Sequence, residues 1–208
     1  MTDYKKPDYW QQKARKEGYP ARSVYKLMEI DKKFNLFKTP AVKSAAAKLR
    51  IMDLGAAPGS WSLYTLRNYK KGFLAAADLS PLSREFDNGL FDGDNFFFVQ
   101  GDITADENRE ALLAKGPYSV IISDAAPSTT GNHIVDSARS LELAQTVVSY
   151  AQNALAPGGN FAVKVFQGSG IDGLLKQIKT IFSSAKSFKP EACRGESVET
   201  YFIGLGKK

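Results

Sequence analysis

The stretch Ile51–Trp61, which reads IMDLGAAPGSW, most constrains how this chain can fold. An apolar run leads to Asp53, a turn rich in Gly, Ala and Pro follows, and an amphipathic segment begins at about Gly59. This order is typical of a first β-strand, a tight turn and the start of a helix. Open α/β sheets bind small ligands at the ends of strands of this kind. The stretch therefore predicts a ligand site as well as a fold class.

Apolar segments with strand character alternate with helical segments from Leu49 to the C-terminus. We predict seven strands: Leu49–Leu54, Phe73–Asp78, Phe96–Gln100, Ser119–Ser123, Phe161–Phe166, Ala185–Phe188 and Tyr201–Leu205. Four helices are predicted between them: Gly59–Tyr69, Asp106–Ala114, Ser137–Ala156 (closed by Pro157–Gly159) and Ile171–Phe182. Ser23 is expected to cap a further helix that runs through Ile30. Such alternation implies a mostly parallel sheet, covered on both faces, in one domain over residues 1–208.

Charge is distributed unevenly along the chain. Residues 1–50 hold 13 of the 28 lysines and arginines but only 5 of the 22 acidic residues, a net charge of +8 against −2 for the rest. Aromatic residues such as Tyr4, Tyr9 and Trp10 lie among these cations. Cations bind phosphates and aromatic rings stack on unpaired bases, so we predict an RNA-binding extension over about residues 1–37. A solvated charged helix would give the same imbalance, and charge alone does not separate the two.

Several function classes find no support in the sequence. The chain lacks an apolar signal segment and a run long enough to span a membrane, which favours a cytoplasmic protein without membrane contact. The one cysteine, Cys193, cannot form an internal disulfide. The one histidine, His133, follows a Ser/Thr/Gly loop and is expected at the surface. A Gly-x-Ser-x-Gly serine hydrolase motif does not occur.

Aspartates stand at the ends of four consecutive predicted strands: Asp53, Asp78, Asp102 and Asp124. Each alone is typical of a turn or a helix cap, but together they predict an acidic rim, which disfavours a phosphate-rich ligand. The turn also lacks the P-loop ending and the Gly-x-Gly-x-x-Gly dinucleotide motif. A cationic nucleoside such as S-adenosylmethionine (SAM) fits, with Asp78 on the ribose hydroxyls. A magnesium site is the competitor, but no Asp-x-Asp pair supports it, so we expect no metal.

Lys164 lies inside the apolar run FAVKVF, over residues 161–166. A central parallel strand is buried on both faces, so a lysine there is unfavourable unless it is paired or used. It could instead extend out at the sheet edge. A buried lysine near a second cation can serve as a base, because both surroundings favour its neutral form.

Five motifs occur in order along the chain: ARSVYKL at 21–27, DLGAAPGSWS at 53–62, SDAAP at 123–127, VKVFQG at 163–168 and ETYFI at 199–203. Together they resemble the FtsJ-type (RrmJ-like) ribosomal RNA 2′-O-methyltransferases over nearly the whole chain. The resemblance implies a Rossmann-like, SAM-dependent methyltransferase fold. Its sheet would have seven mostly parallel strands with an antiparallel last strand, and helices on both faces. Ser60, in place of a commoner glycine, Ala125, in place of methionine, and a longer loop at Lys38–Lys48 depart from the pattern.

The resemblance also implies site residues and a substrate. The catalytic tetrad would be Lys26, Asp124, Lys164 and Glu199, and the SAM contacts would be Gly55, Gly59, Trp61, Asp78, Asp102 and Asp124. The substrate implied is RNA, a uridine of large-subunit ribosomal RNA in the assembled subunit, methylated by a monomer. Methylation of tRNA or of an mRNA cap uses similar tetrads and stays open. A ribosome-assembly factor that binds RNA without catalysis is the alternative of another class, although it would not need an intact tetrad.

Overall fold

A seven-stranded sheet forms the centre of the chain. The structure is a computed structural model that describes residues 9–42 and 48–208, so the predictions for Tyr4 and for the middle of the loop Lys38–Lys48 lie outside the described residues. The strands are β1 (Arg50–Leu54), β2 (Phe73–Asp78), β3 (Phe96–Gln100), β4 (Tyr118–Ser123), β5 (Leu155–Phe166), β6 (Phe182–Phe188) and β7 (Glu199–Lys207). Their order is β3-β2-β1-β4-β5-β7-β6. Strands β1 to β5 pair in parallel, and β7 runs antiparallel to β5 and β6.

Helices cover both faces of this sheet, which confirms the Rossmann-like α/β fold. They are α1 (Tyr9–Lys16), α2 (Val24–Phe34), α3 (Ser60–Asn68), α4 (Asp106–Leu113), α5 (His133–Ala154) and α6 (Ile171–Ile181), with a short 3₁₀ turn at Leu90–Asp92. Within the described chain, none of the helices has the length and apolarity that crossing a membrane requires.

Strand residues alternate between the two faces, as the period of two in a strand requires. One face carries Ile51, Val120, Ile122 and Ile203 and packs against α2 and α3, and the other carries Met52, Ile121, Val163 and Phe202 and packs against α4, α5 and α6. Leu27 and Ile30 of α2 lie in the first of these cores. Helix α2, the second helix of the basic N-terminal segment, is therefore packed on the sheet and lies beside the strand ends.

The structure corrects two details of the predicted helix ends. Helix α2 begins directly after Ser23, as predicted, but the backbone of Ser23 is already helical and its side chain makes no capping bond. The strand β5 begins at Leu155, so Pro157–Gly159 lie inside this strand instead of closing α5. At the end of α5, the ammonium of Lys207 donates to the carbonyls of Ala151 and Gln152 in the helix and of Leu155, the next residue after it, at 2.6–2.9 Å.

Candidate active site

The turn between β1 and α3 is held against β2 by backbone hydrogen bonds. The amides of Gly55 and Ala56 donate to the carbonyl of Ala77 at 2.8 and 3.1 Å. Gly55 has a φ of +78°, and a Cβ there would lie 2.4 Å from the Cβ of Ala125. Only glycine fits both the conformation and the space. The turn therefore lies directly against the residue that follows Asp124.

Gly59 closes this turn and starts α3 in the left-handed region, with a φ of +107°. A Cβ at this position would lie 3.0 Å from Cζ of Phe91. At both glycines the space where a Cβ would lie is therefore taken by a neighbouring residue, Ala125 beside Gly55 and Phe91 beside Gly59. The roles of Gly55 and Gly59 in SAM binding stay predictions.

Asp78, the last residue of β2, reaches across to the same turn. Its Oδ2 accepts a hydrogen bond from the amide of Ala57 at 2.9 Å, and its Oδ1 accepts one from the amide of Ser80 at 2.8 Å. A carboxylate has about four acceptor sites, so each oxygen can accept a further bond. Asp78 is half-buried, and its role in binding ribose hydroxyls stays a prediction.

Asp102 and Asp53 differ sharply in their surroundings. Asp102 is exposed, and hydrogen bonds from the amide and hydroxyl of Thr104, both 2.8 Å, lower the pKa of its carboxyl. Asp53 is fully buried in β1, where Ser62 donates to its Oδ2 at 2.7 Å and its Oδ1 has no hydrogen-bond partner. Burial raises the pKa of Asp53 to about 7. The acidic rim thus consists of Asp78, Asp102 and Asp124, with Asp53 beneath it, which corrects the predicted rim of four.

Asp124, directly after β4, is the centre of a largely buried charge cluster. Its Oδ1 lies 3.1 Å from Nζ of Lys164, which also donates to the backbone carbonyl of Asp124 at 2.5 Å. The same Oδ1 lies 3.8 Å from Nζ of Lys26. Lys26 in turn donates to Oε2 of Glu199 at 2.6 Å. The four residues of the predicted tetrad are therefore connected in a chain of contacts that runs from Lys164 through Asp124 and Lys26 to Glu199.

The topology of the sheet explains why residues so distant in sequence meet. Strands β4 and β5 are neighbours, and β5 pairs with β7 so that Lys164 lies opposite Tyr201 and Phe166 lies opposite Glu199. Alternate residues of a strand share a face, so Glu199, Tyr201 and Lys164 point to the same side. Helix α2, packed on that side, supplies Lys26.

The cluster also determines charge states. Burial raises the pKa of Asp124, but the ammonium groups of Lys164 and Lys26 more than offset this, so its pKa lies below the usual range. Burial lowers the pKa of Lys26, but Asp124 and Glu199 outweigh it and raise this pKa above its usual value. At neutral pH the cluster therefore contains an ionised Asp124 and a cationic Lys26.

Tyr201 is a member of this cluster that sequence reasoning missed. Its hydroxyl donates to Oδ1 of Asp124 at 2.6 Å, and its ring is completely buried. Burial and the neighbouring Asp124 carboxylate raise the pKa of Tyr201 well above its usual value, so the phenol stays neutral. The signal available was its position two residues after Glu199 in a strand, which places both on one face.

Ser60 and Trp61, at the start of α3, attach the segment that precedes α2. The Ser60 hydroxyl accepts from the amide of Ala21 at 2.8 Å and donates to its carbonyl at 3.1 Å. The indole N–H of Trp61 donates to the carbonyl of Ser23 at 2.8 Å. These bonds fix Lys26, one helical turn later, relative to the Gly55–Gly59 turn. Because Trp61 is buried by these contacts, its predicted contact with SAM stays a prediction.

The one histidine and the one cysteine of the chain take no part in the charge cluster around Asp124. His133 is exposed at the start of α5, as predicted. Burial raises the pKa of the Cys193 thiol to about 11, so it is protonated at neutral pH. In the part of the chain that the structure describes, no group of three or more His, Cys, Asp or Glu is arranged to hold a metal ion.

Comparison with known proteins identifies a family and close relatives. The family described as FtsJ-like methyltransferase matches residues 19–207. A Treponema denticola protein named ribosomal RNA large subunit methyltransferase E is 47% identical over 206 residues, which cover 99% of this chain and 97% of the relative. A Borreliella afzelii protein of the same name is 42% identical, with 95% of this chain and 96% of the relative covered.

Solved structures with the same fold include RNA and other methyltransferases. A Plasmodium falciparum protein assigned as a ribosomal RNA methyltransferase is 26% identical, with a TM-score of 0.71 over 91% of this chain and 98% of that chain. Human methyltransferase-like protein 13, solved in complex with SAH, is 17% identical, with a TM-score of 0.57 over 87% of this chain and 81% of that chain. The second likeness shows the fold alone.

Proposed function

Because the chain belongs to the FtsJ-like methyltransferase family, we propose that it transfers a methyl group from SAM to the 2′-oxygen of a ribose in large-subunit ribosomal RNA. The observation that carries this proposal is the contact of Lys26, Asp124, Lys164 and Glu199 beside the turn after β1. The relatives in Treponema denticola and Borreliella afzelii are named for methylation of the same class of RNA, which supports the substrate.

The residues around the turn suit SAM better than a phosphate-bearing cofactor. The acidic rim favours a cationic ligand, and Asp78 has acceptor sites left for ribose hydroxyls. Gly55, Gly59, Asp78, Asp102 and Asp124 would hold the cofactor. When bound, SAM supplies a methyl group activated by its sulfonium.

The acceptor hydroxyl would be bound by Lys164. An ammonium has three donors, and Lys164 directs two of them at Asp124, one at the carboxylate and one at the carbonyl. One N–H, or the lone pair of the neutral amine, remains to orient the 2′-hydroxyl or to accept its proton. Asp124 aligns Lys164 through both contacts, while Glu199 holds Lys26, whose charge steers the ribose.

Positioning should contribute more to the rate than proton transfer. A general base typically contributes roughly 10²–10⁴-fold. Holding two reactants in attack geometry can contribute up to about 7–11 kcal/mol. The cluster is suited to positioning, because each of its four charged groups is held by at least one other member at 3.1 Å or less.

Transfer to a nucleobase has less support than transfer to ribose. Methylation of amino groups on bases typically uses an Asn/Asp-Pro-Pro-aromatic motif, and Asp124 is followed here by Ala-Ala-Pro. Methylation of carbon 5 of cytosine requires a Pro-Cys nucleophile, whereas Cys193 follows Ala192 and its thiol is protonated. A lysine tetrad fits a hydroxyl acceptor, which must lose a proton.

Transfer of labelled methyl groups tests the proposal. We take the protein to act as a monomer in the cytoplasm. Wild-type protein would be incubated with labelled SAM and with assembled large subunits, free ribosomal RNA or tRNA. We expect label at one 2′-oxygen of a uridine in the large-subunit RNA, located by mapping the modified nucleotide. Label in tRNA or in an mRNA cap alone would overturn the ribosomal substrate. RNA binding without any transfer would favour a non-catalytic assembly factor.

A further inference from the structure

A cleft rimmed by lysines lies at the edge of the sheet opposite Asp124. It has a volume of about 1270 Å³ and is lined by the loop after α2, the starts of β1 and β2, and the residues that follow α3. We call it the amino-edge cleft and define it by Lys38, Lys48, Tyr69, Lys70, Lys71 and Phe73. Only one acidic side chain, Asp94, belongs to the described residues that line it.

The four lysines are the available charges of this cleft. All four side chains are exposed, and across residues 9–42 and 48–208 none of them is paired with a carboxylate. The two arginines of the lining are already engaged. Arg50 lies 4.5 Å above the Phe73 ring and donates to the Lys115 carbonyl, and Arg67 donates to the Phe86 carbonyl at 2.7 Å.

The walls of the amino-edge cleft are held in place before any partner binds. On one wall, the hydroxyl of Thr39 donates to the carbonyl of Gly158 at 2.6 Å. On the other, the amide of Phe73 donates to the carbonyl of Leu49 at 2.8 Å. A partner therefore pays little ordering entropy for the main chain here, although the lysine side chains must still be ordered.

The position of the cleft separates it from the reacting atoms. Strand β1 starts at the cleft with Arg50 and reaches the Gly55–Gly59 turn after five residues, a span of roughly 13 Å between its end residues at 3.3 Å per residue. The opposite edge carries the acidic rim of Asp78 and Asp102, which repels phosphates. Cations that hold an RNA backbone are therefore better placed away from that rim.

We propose that the amino-edge cleft binds backbone phosphates of the RNA substrate at a distance from the methylated ribose. The inference rests on the proposed function, because it takes RNA as the substrate. Lysine ammonium groups bind phosphates as flexible point charges, and each contact releases counterions from the RNA. The half-buried ring of Tyr69, whose centroid lies 4.5 Å from that of Phe37, adds apolar surface beside the lysines.

Paired substitutions test the cleft directly. K70Q/K71Q and K38Q/K48Q each remove two charges from it, and K176Q/K179Q removes two exposed charges from α6, on the other face of the sheet. For each cleft pair we expect the affinity for free large-subunit ribosomal RNA to fall about tenfold or more at 100 mM salt. The slope of log affinity against log salt concentration should decrease by about 1.5. The KM for RNA should rise, with kcat and SAM affinity unchanged.

The controls make each outcome decisive. If K176Q/K179Q lost as much RNA affinity as the cleft pairs, the effect would reflect overall charge and the inference would be overturned. Wild-type RNA affinity in both cleft pairs would also overturn it. Weaker binding to assembled subunits, with unchanged binding to free ribosomal RNA, would assign the cleft to a ribosomal protein and also overturn it. Thermal unfolding checks that each variant folds. Methyl transfer by the wild type tests the proposed function separately, because the binding assay requires no catalysis.

Discussion

The hydroxyl of Tyr201 donates to Oδ1 of Asp124 at 2.6 Å, and the same oxygen faces both lysines of the charge cluster. This bond links the last strand of the sheet to the loop that follows its fourth strand. Asp124 is thereby held from three directions in a buried site, where an unpaired carboxylate would be strongly unfavourable. The geometry of the whole cluster thus depends on the antiparallel placement of β7 beside β5.

Replacement of Tyr201 by phenylalanine should shift the pH dependence of activity. The Tyr201 hydroxyl is one of the groups that lower the pKa of Asp124, so its loss should raise that pKa. Activity that requires the Asp124 carboxylate is lost as pH falls through this pKa, and the acid limb of kcat should therefore move to higher pH. At pH 8 we expect kcat to fall by about tenfold or more, since a hydrogen bond to an ionised carboxylate contributes about 1.5–3 kcal/mol. An unmoved acid limb would show that the bond does not tune Asp124.

Replacement of Lys164 by alanine should abolish methyl transfer while SAM affinity stays nearly intact. The side chain contacts Asp124 and not the Gly55–Gly59 turn, so its loss removes the group that binds the acceptor hydroxyl. Transfer to RNA and SAM binding by calorimetry would be measured on the same preparation. Lys176→Ala, at an exposed position of α6, is the matched control and should match wild type in both. A large loss of SAM affinity in Lys164→Ala would instead make this lysine a structural or cofactor-binding residue.

Much of the fold could be predicted from the sequence because local patterns carry it. The bounds of β2 and β3 are confirmed, since apolar runs of five or six residues flanked by turns have few alternatives. The start of β5 was wrong, because Pro157–Gly159 is typical of a helix end. Only the packed structure shows that Leu155 pairs with Tyr118. It also shows that Lys207, more than 50 residues after Leu155 in the chain, donates to the carbonyls at the end of α5.

The candidate site was predictable in part, and the limits have a physical reason. Lys164 was conspicuous because it interrupts an apolar run, whereas Lys26 and Glu199 could be named only through the family resemblance. Tyr201 was missed because a tyrosine in a strand is usually core, and its bond to Asp124 depends on the register between β5 and β7. Contacts of that kind are set by tertiary structure, so the spacing from Glu199 could place Tyr201 on the same face but could not show its partner.

Replacement of Ser60 by alanine should lower kcat through the placement of Lys26. It removes both bonds to the Ala21 main chain. The half-buried amide of Ala21 then loses its partner and the carbonyl keeps only the long bond from the Val24 amide at 3.5 Å, which should cost about 1–3 kcal/mol of stability. We expect kcat to fall several-fold with SAM affinity unchanged, and Ser60→Thr, which keeps a hydroxyl, to recover part of the loss. Ser183→Ala, at an exposed position of β6, should behave as wild type. An equal loss of stability without any change in kcat would restrict Ser60 to a structural role.

Asp53 should make the protein less stable as pH rises from about 4 to 7. Burial raises the pKa of its carboxyl to about 7, so the folded chain keeps a proton that the unfolded chain releases near its ordinary value of 3.8. Unfolding is then favoured by about 1.4 kcal/mol per pH unit across this window, up to about 4 kcal/mol, and the effect is constant above the folded pKa. The Asp53→Asn variant has no ionisable group at this position, so its stability lacks this pH dependence. Relative to wild type, its free energy of unfolding should therefore rise by about 2–3 kcal/mol between pH 5 and pH 8. Urea unfolding at each pH, without SAM, measures this difference, and Glu142→Gln, which neutralises an exposed carboxylate of α5, should show no such trend. If the difference in unfolding free energy between variant and wild type were the same at pH 5 and pH 8, the Asp53 carboxyl would be ionised in the folded protein throughout this range. Its buried Oδ1 would then be stabilised despite the missing hydrogen bond.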